Sequence, residues 1–380
     1  MKAAIFYSRY LDHNGKEQHI GGIETYLYNL ARLCKQLDIE PVIFQDSLRP
    51  FENMDDDIKV VGLPVAKTNW RIRRIKAFSL ASRKFDIKND IVIFGADSRS
   101  VRYGSNRCVS IQHGIAWDLP NQYISPRKIW QNRIGGKLFK MKFRWHVIHS
   151  YERCPNRVCV DYNFLNWYRT FLHRELTGNN WIIPNFANIP DLDSVTRARS
   201  DTSVLKILFA RRFCDYRGTR IMAQATKSLL KMYPHISFTF AGEGPDESWL
   251  RTQFAGESRV VITKYLPDQI TDFHLKHHIA VVPSIASEGT SLSVAEAMAC
   301  GCAVVATAIG GITNMIIDGY NGKLCMPSGG ELEKCIEELI VDCEQRKRIA
   351  VNAYETARNA FSKEKWENSW SQVIEAIANM

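Results

Sequence analysis

The sequence predicts an α/β protein built on parallel sheets, and three observations predict it. Short apolar runs of strand character alternate with amphipathic runs of helical period through most of the chain. One stretch shows the unit cleanly: Ile279 to Val282 is closed by Pro283, a loop leads to a helix near 291–300, Gly301 stops it, and Cys302 to Thr307 reads as the next strand. At 380 residues the chain is long for one core, so two such domains are expected.

In the first half the expected strands are 2–8, 41–45, 58–61, 90–94, 108–112, 158–160 and 181–183, with helices over 22–37 and roughly 163–175. In the second half strands at 205–210, 237–241, 260–263, 279–282 and 303–306 alternate with helices near 218–232, 246–254 and 291–300. Such βαβ alternation means parallel sheets with a binding site at the strand carboxyl ends. The polar stretch from Asn188 to Thr202 reads as the linker, dividing the chain into 1–187 and 188–361. Charged helices at about 329–342 and 344–359 precede a last helix, 362–380.

Composition sets further bounds. At 45% hydrophobic and 24% charged, the chain has an ordinary soluble balance. Its ten cysteines form no CxxC pair, and Met1 to Ser8 reads as a strand rather than a signal peptide, which fits a reducing cytoplasm. Cys300 and Cys302 lack partners at zinc spacing, so no metal site is expected. The most apolar long window, Leu292 to Ile312, contains Glu296 and is cut by Gly301, Gly310 and Gly311; no membrane span is expected. Charge is uneven. Residues 1–185 hold 29 Lys+Arg against 17 Asp+Glu, whereas 186–380 hold 21 against 23, so the first half is expected to face something anionic.

The run from Ser287 to Gly301 is the strongest chemical signal. It places Glu288 at the carboxyl end of a strand and Glu296 about two turns into the next helix. The amides of Gly289, Thr290, Ser291 and Leu292 lie where a helix N-terminus offers N–H groups to an anion, and Glu296 suits two vicinal hydroxyls. The bland alternatives are a surface loop carboxylate for Glu288 and a capping box between Ser293 and Glu296. Upstream, Ile207 to Ala210 leads into Arg211, Arg212 and Phe213, and Arg217-Gly218 opens a helix. Arg212 and Arg217 are expected to supply fixed positive charge for a diphosphate, while Arg211 reads as a solvated surface residue.

Gly21-Gly22 opens the first helix and permits close approach of a ligand to the backbone. It is not the GxGxxG fingerprint, nor is Gly242-Glu243-Gly244-Pro245, which counts against a nicotinamide dehydrogenase. His113 follows the strand at 108–112; a lone histidine is as readily structural as catalytic. Arg127, Lys128, Arg133, Lys137, Lys140, Lys142 and Arg144 occur without an acid and are interleaved with Trp130, Phe139, Phe143 and Trp145; a second basic stretch runs from Trp70 to Lys84. Cations mixed with large apolar residues suit an anionic membrane surface. A solvated face is the alternative, and no nucleic-acid fold signature accompanies it, so no nucleic-acid partner is expected.

Taken together the motifs resemble glycosyltransferase family 4, across nearly the whole length. Glu288 to Glu296 is similar to the family's E-x7-E motif and runs on into its EAMACG ending, Glu296 to Gly301. Phe209 to Gly218 resembles its GR-x4-KG segment, Ala241 to Pro245 its GxGP turn, Gly21 to Glu24 its donor loop, and His113-Gly114 its His-Gly pair. Ile183-Pro184-Asn185 and the stretch Phe361 to Trp366 resemble two further family runs. Arg211 stands where the family usually has Gly, Arg217 where it has Lys, Thr290-Ser291 where it has Phe-Gly, and Phe186 where Gly is usual.

The resemblance implies a GT-B fold, two Rossmann-like doubly wound domains facing a central cleft, with the last helix packing back onto the first. It implies a retaining transferase that moves a sugar from a nucleoside-diphosphate sugar, a UDP-sugar first, to a membrane-associated acceptor in lipopolysaccharide, capsule or other cell-surface glycan synthesis. Glu296 would hold the ribose; Arg212, Arg217, Gly22 and the 290–292 amides the phosphates; Glu288 and His113 the sugar. No cofactor or metal would be needed, and the enzyme would sit in the cytoplasm on the inner face of the plasma membrane. Two rivals stand beside this reading: a sugar-nucleotide epimerase of the same fold, and a non-catalytic basic protein that binds membrane or nucleic acid.

Overall fold

The structure, a computed structural model, describes residues 1–17, 21–115, 117–119, 133–172, 175–198, 204–266, 269–286 and 288–380. It divides into two compact units. The first holds Met1–His113, Asn132–Ile183 and Glu367–Met380; the second holds Pro184–Trp366 and the described residues of Gly114–Gln131.

The strands of the first unit are β1 (Lys2–Tyr7), β2 (Glu40–Asp46), β3 (Phe51–Asp55), β4 (Ile58–Leu63), β5 (Ile91–Phe94), β6 (Cys108–Gln112), β7 (Asn156–Cys159) and β8 (Asn179–Ile182). They form one sheet of order β3-β4-β2-β1-β5-β6-β7-β8, parallel throughout except for the β3–β4 pair. Helices α1 (Gly22–Gln36), α2 (Trp70–Ala81), α3 (Arg133–Tyr151) and α4 (Tyr162–Leu172) provide crossovers. The central residues of β1 and β2 and all of β5 are apolar and buried because a parallel sheet is covered on both faces. Phe6, Phe44, Phe78 and Phe94 fill one side of the sheet; Phe6 and Phe44 stack at 5.2 Å. Each such ring, fully buried, contributes about 1.5–3 kcal/mol.

In the second unit α5 (Leu192–Ala198) precedes β9 (Leu205–Ala210), α6 (Thr219–Met232), β10 (Ile236–Ala241), α7 (Glu247–Gln253), β11 (Val260–Thr263), α8 (Ile270–Leu275), β12 (Ile279–Val282), α9 (Leu292–Ala299), β13 (Ala303–Thr307) and β14 (Lys323–Cys325). The six strands lie in the order β11-β10-β9-β12-β13-β14, all parallel. One core joins Phe209, Phe238 and Phe240 to Met222, Leu229 and Ile336; another joins Val282, Val304 and Ala306 to Ala295, Met298 and Ile312. Helices α10 (Gly329–Val341), α11 (Cys343–Ala360) and α12 (Lys363–Ala378) complete the chain. Within the first unit, Trp370 of α12 is fully buried and its Nε1 donates to Tyr26 Oη at 2.7 Å. Phe186 and Trp366 pack together at 4.5 Å within the second unit.

Several elements differ from the sequence expectation. The described residues of the basic stretches lie largely in helices, α2 and α3; Asn69 caps α2 by accepting from the Arg71 amide at 3.1 Å, a contact worth about 1 kcal/mol. Their apolar residues fall on the exposed side as well as the buried one, which hides the helical period. Strand β3 is an acidic edge strand joined to β4 through Asp56, whose φ of 50° makes the turn. The expected linker contains α5, started by Asp191 accepting from the Ser194 amide. The unit boundary falls after Ile183 rather than after 187, and the last helix passes to the first unit at Glu367 rather than at 362.

Both sheets reverse their strand order, between β1 and β5 in the first and between β9 and β12 in the second. A crevice opens at such a switch point, at the carboxyl ends of the strands. No helix among the described residues is long and apolar enough to cross a membrane.

Candidate active site

The second unit places its charged residues at the β9/β12 switch point. Arg211 is the first residue beyond β9, pinned by its amide to the Ala241 carbonyl at 2.9 Å. Its buried guanidinium donates from Nη1 to Ser284 Oγ at 2.7 Å and from Nη2 to Glu288 Oε1 at 2.9 Å. Ser284 Oγ donates in turn to Glu288 Oε2 at 2.9 Å, and Arg217 Nη1 donates to the same oxygen. Glu288 is therefore not a surface carboxylate: it is 7% exposed and gripped by two arginines and a hydroxyl. Burial pulls Arg211 down to about 10; burial, with the Arg211 charge second, does the same to Arg217. The reading of Arg211 as a solvated surface residue is corrected, since it is the hub of the site. Arg212, its neighbour, is the exposed one.

Glu296 lies half-buried on α9, within reach of the Arg211 charge. Burial raises its carboxyl to about 7, and Arg211 opposes that rise. Arg211 thus bonds to the first of two carboxylates eight positions apart and acts on the second through its charge. Burial first, and the Glu296 charge second, push the Tyr265 hydroxyl above its usual range.

The loop between them is fixed by backbone. The Gly311 amide donates to the Glu288 carbonyl at 2.9 Å, and a Cβ at Gly311 would collide with the backbone of Gly289 and Thr290. Thr290 Oγ1 accepts from the Asn185 amide at 2.9 Å, and its carbonyl accepts from Asn185 Nδ2. The Ser291 amide, expected to face a phosphate, points at Met315 Sδ at 3.1 Å, a weak acceptor that a stronger anion can displace. Leu292 begins α9 after the N-cap Ser291. At the other side Gly218 begins α6 with φ of 84°, and a Cβ there would strike the Pro283 carbonyl. Only glycine satisfies both conditions.

In the first unit His113 follows β6, beside the β1/β5 switch point. Its Nε2–H donates to the Gly95 carbonyl at 2.8 Å, because a carbonyl can only accept; Nδ1 keeps its lone pair. Burial lowers the imidazole to about 4, so it is neutral at physiological pH. Its ring meets Tyr26 of α1 edge-on at 5.5 Å. Gly21 caps α1 in extended conformation, and a Cβ there would collide with the Glu24 carboxylate. The space beside Gly21 is thus used by the buried Glu24 side chain, which the ligand-loop expectation did not foresee. Glu288, Glu296, Arg212, Arg217 and the 289–292 loop belong to one unit; Gly21, Gly22 and His113 belong to the other.

Among the basic residues, Arg127, Lys128 and the side chain of Arg133 lie outside the described residues. Lys137 and Lys142 are exposed on α3, and Lys140 and Arg144 are half-buried. Ser284, Asn185 and Gly311 carry only weak sequence signals for these roles. Arg211 had one: it adjoins Arg212 at a strand end.

Comparison with known proteins agrees with the fold. Two parallel-sheet Rossmann-like units define a GT-B fold, shared with sucrose-phosphate synthase of Thermosynechococcus elongatus (TM-score 0.75, 15% identity, 99% of this chain and 98% of that one) and with HepE of Anabaena in complex with UDP-glucose (TM-score 0.69, 17% identity, 99% and 100%). The family described as "Glycosyl transferases group 1" matches residues 205–342. An uncharacterized glycosyltransferase of Methanocaldococcus jannaschii is 37% identical over 371 residues, 95% of this chain and 96% of its own. The chain belongs to the glycosyltransferases. The lipopolysaccharide 1,2-N-acetylglucosaminetransferase of Salmonella typhimurium is 28% identical over 192 residues, 47% of this chain and 49% of its own.

Proposed function

We propose that this glycosyltransferase, as a family 4 enzyme, takes its sugar from a nucleoside-diphosphate donor, a UDP-sugar first, and passes it with retention to a membrane-associated saccharide acceptor of a cell-surface glycan. The observation that carries this reading is the Arg211–Ser284–Glu288–Arg217 constellation at the β9/β12 switch point, with Glu296 beside it. The departing diphosphate gains negative charge as the anomeric carbon gains positive charge. Fixed cations and amides that meet this charge stabilise the transition state more than the ground state. Arg217 exchanges Glu288 for the diphosphate when the donor enters, Arg212 reaches it from the exposed side, and the Ser291 amide leaves Met315 for it. Loss of one such contact costs about 3 kcal/mol of activation free energy. Glu288, still held by Arg211, turns its remaining lone pairs to the sugar hydroxyls, and Glu296 accepts from the ribose. Neutral His113 accepts a sugar hydroxyl at Nδ1. In this reading the arginines do the work of a metal ion, so activity persists in excess EDTA.

The name of the Salmonella relative and the UDP-glucose bound to the Anabaena protein support this choice of donor and pathway. The membrane part has its own support. Ile134, Leu138, Met141 and Trp145 are 75%, 53%, 55% and 45% exposed and lie at helical spacing on α3, beside the exposed Lys137 and Lys142. An apolar stripe flanked by cations is the pattern of an interfacial helix, here on the cytoplasmic face of the plasma membrane. Co-sedimentation with liposomes is expected to need anionic lipid and to fall several-fold in a Lys137→Glu, Lys142→Glu variant. For the reaction, folded enzyme is incubated with a panel of sugar nucleotides and glycan or glycolipid acceptors. UDP release that depends on acceptor, with the anomeric configuration kept, is expected. No transfer from any donor to any acceptor sinks the reading, and a sugar converted without an acceptor favours the epimerase.

A further inference from the structure

Two thiols of the first unit meet in its core. Cys108 opens β6, and Cys154 lies in the short connection between α3 and β7. They are 2% and 1% exposed and share one apolar cluster with Phe78 and Phe94. Their Sγ atoms lie 3.4 Å apart although 46 residues separate them in the chain. None of the ten cysteines is in a disulfide. In the second unit thiols find carbonyls: Cys300 Sγ donates to that of Thr271 at 3.7 Å and Cys302 Sγ to that of His274 at 3.3 Å. Cys154 faces sulfur instead.

The backbones that carry the pair are fixed against each other. Asn156 Nδ2 donates to the Cys108 carbonyl at 2.9 Å and to the Asn106 carbonyl at 2.8 Å, and Ser110 of β6 lies in register with Arg157 of β7. The two sulfurs are thereby kept together. A disulfide needs them at about 2.05 Å, a closure of roughly 1.3 Å that modest side-chain rotation supplies. The surroundings also give the two thiols different characters. Burial disfavours the Cys154 thiolate, but the Cys108 thiol and the Asn156 amide beside it outweigh burial and hold Cys154 below the usual thiol range. Cys154, and burial after it, push Cys108 up. Since the thiolate is the reactive form, Cys154 is the sulfur that reacts first.

We propose that Cys108 and Cys154 are a reversible redox pair, which a peroxide oxidises to a disulfide bracing the end of α3 against β6. Cys154 Sγ attacks the peroxide and the O–O bond breaks. One oxygen stays as the sulfenic hydroxyl, and the other leaves, with the thiol proton, as water or an alcohol. Cys108 Sγ then attacks Cys154 Sγ: the S–S bond forms, the S–O bond breaks, and hydroxide leaves with the Cys108 proton as water. The two electrons given up by the sulfurs reduce the peroxide. The product closes a loop that contains His113 and the whole of α3, and a dithiol reductant reopens it. Transient disulfides of this kind suit a reducing compartment. The pair stands whatever the donor and acceptor of the transfer.

The test treats the reduced, desalted full chain with excess hydrogen peroxide, alkylates it under denaturing conditions and maps the peptides by mass spectrometry. A peptide pair joined through Cys108 and Cys154, lighter than its two halves by two hydrogens, is expected, and dithiothreitol is expected to release it. Peptide mapping locates the link, because Cys325 and Cys335 also neighbour each other in the second unit. Closing a loop of this length is expected to raise Tm by about 4 °C or more over the reduced protein, and Cys154→Ser to abolish the rise. In Cys108→Ser the sulfenic acid has no partner thiol, so dimedone is expected to label Cys154. The proposal is overturned if peroxide leaves both residues open to alkylation, or if Cys154 goes on to its sulfinic acid without a link to Cys108. It is equally overturned if either residue pairs with another cysteine, or if the link forms with no rise in Tm. The parent alone decides these outcomes, so a variant that fails to fold does not blunt the test.

Discussion

In the second unit the strands on either side of the reversal, β9 and β12, run out into charge: Arg211 beyond one, Ser284 and Glu288 beyond the other, with Arg217 just before α6 and Glu296 within α9. In the first unit the matching strands β1 and β5 end near a neutral imidazole hydrogen-bonded to the Gly95 carbonyl, and near a helix N-terminus already filled by Glu24. One topology thus carries two chemistries. A doubly wound sheet fixes where a ligand can sit, while the residues one to six positions past each strand decide which ligand. A switch point rich in cations suits a diphosphate, and one with a neutral imidazole and a carboxylate suits hydroxyl groups.

The largest effect that sharpens this contrast is expected from Arg211→Met. It leaves the Glu288 carboxylate buried with one cation fewer, a loss of about 3–5 kcal/mol in the second unit, read by chemical denaturation. A loss below 1 kcal/mol would mean that the pair is solvated. His113→Asn, which removes a neutral ring from the first unit, is expected to cost about 1–2 kcal/mol in the same assay. Gly218→Ala comes next. A Cβ pressed on the Pro283 carbonyl at a φ of 84° is expected to cost about 2–3 kcal/mol, seen as a drop in Tm.

Acid titration separates the units by sign. His113 has its folded value lowered from 6.5 to about 4, so the folded state binds fewer protons there and stability is lost as pH falls from 6.5 towards 4, up to about 3 kcal/mol. Glu296 is raised from 4.5 to about 7, so its neutral form is favoured by folding; that contribution is present below 4.5 and lost as pH rises through 7. His113→Asn is therefore expected to be more acid-tolerant than the parent, and Glu296→Gln to remove the loss at neutral pH. Melting curves at pH 5 and 8 check both, and equal responses would break the contrast. The smallest effect is expected from Met315→Leu, which takes the sulfur from the Ser291 amide and costs about 0.5–1 kcal/mol while leaving donor affinity within a few-fold.

Much of the fold was legible because buried parallel strands are continuous apolar runs, and β1, β9, β12 and β13 stand out for that reason. Strand β3 was not, since an edge strand that alternates half-buried and exposed residues and carries acids has little apolar signal. Helices α2 and α3 were read as basic segments because their apolar residues point outward as well as inward, which erases the period. In the site, Glu288, Arg217 and Glu296 were legible from their spacing around strand ends. Arg211 was not, since nothing in a single sequence tells which of two adjacent arginines turns inward; that depends on the pleat of β9, whose last residue, Ala210, already faces the core. The Glu24 carboxylate over Gly21 is likewise a packing outcome that the glycine pair alone does not reveal.

The account depends most on Glu296 meeting the donor as a carboxylate. Calorimetric titration of UDP into the parent and into Glu296→Gln at pH 6 and pH 8 tests this directly, because any titration of UDP itself cancels between the two proteins. With the carboxyl raised to about 7, the parent is expected to gain roughly tenfold in affinity from pH 6 to pH 8 relative to the variant, which is expected to bind weakly at both. Equal affinities for the two proteins at both pH values would contradict it.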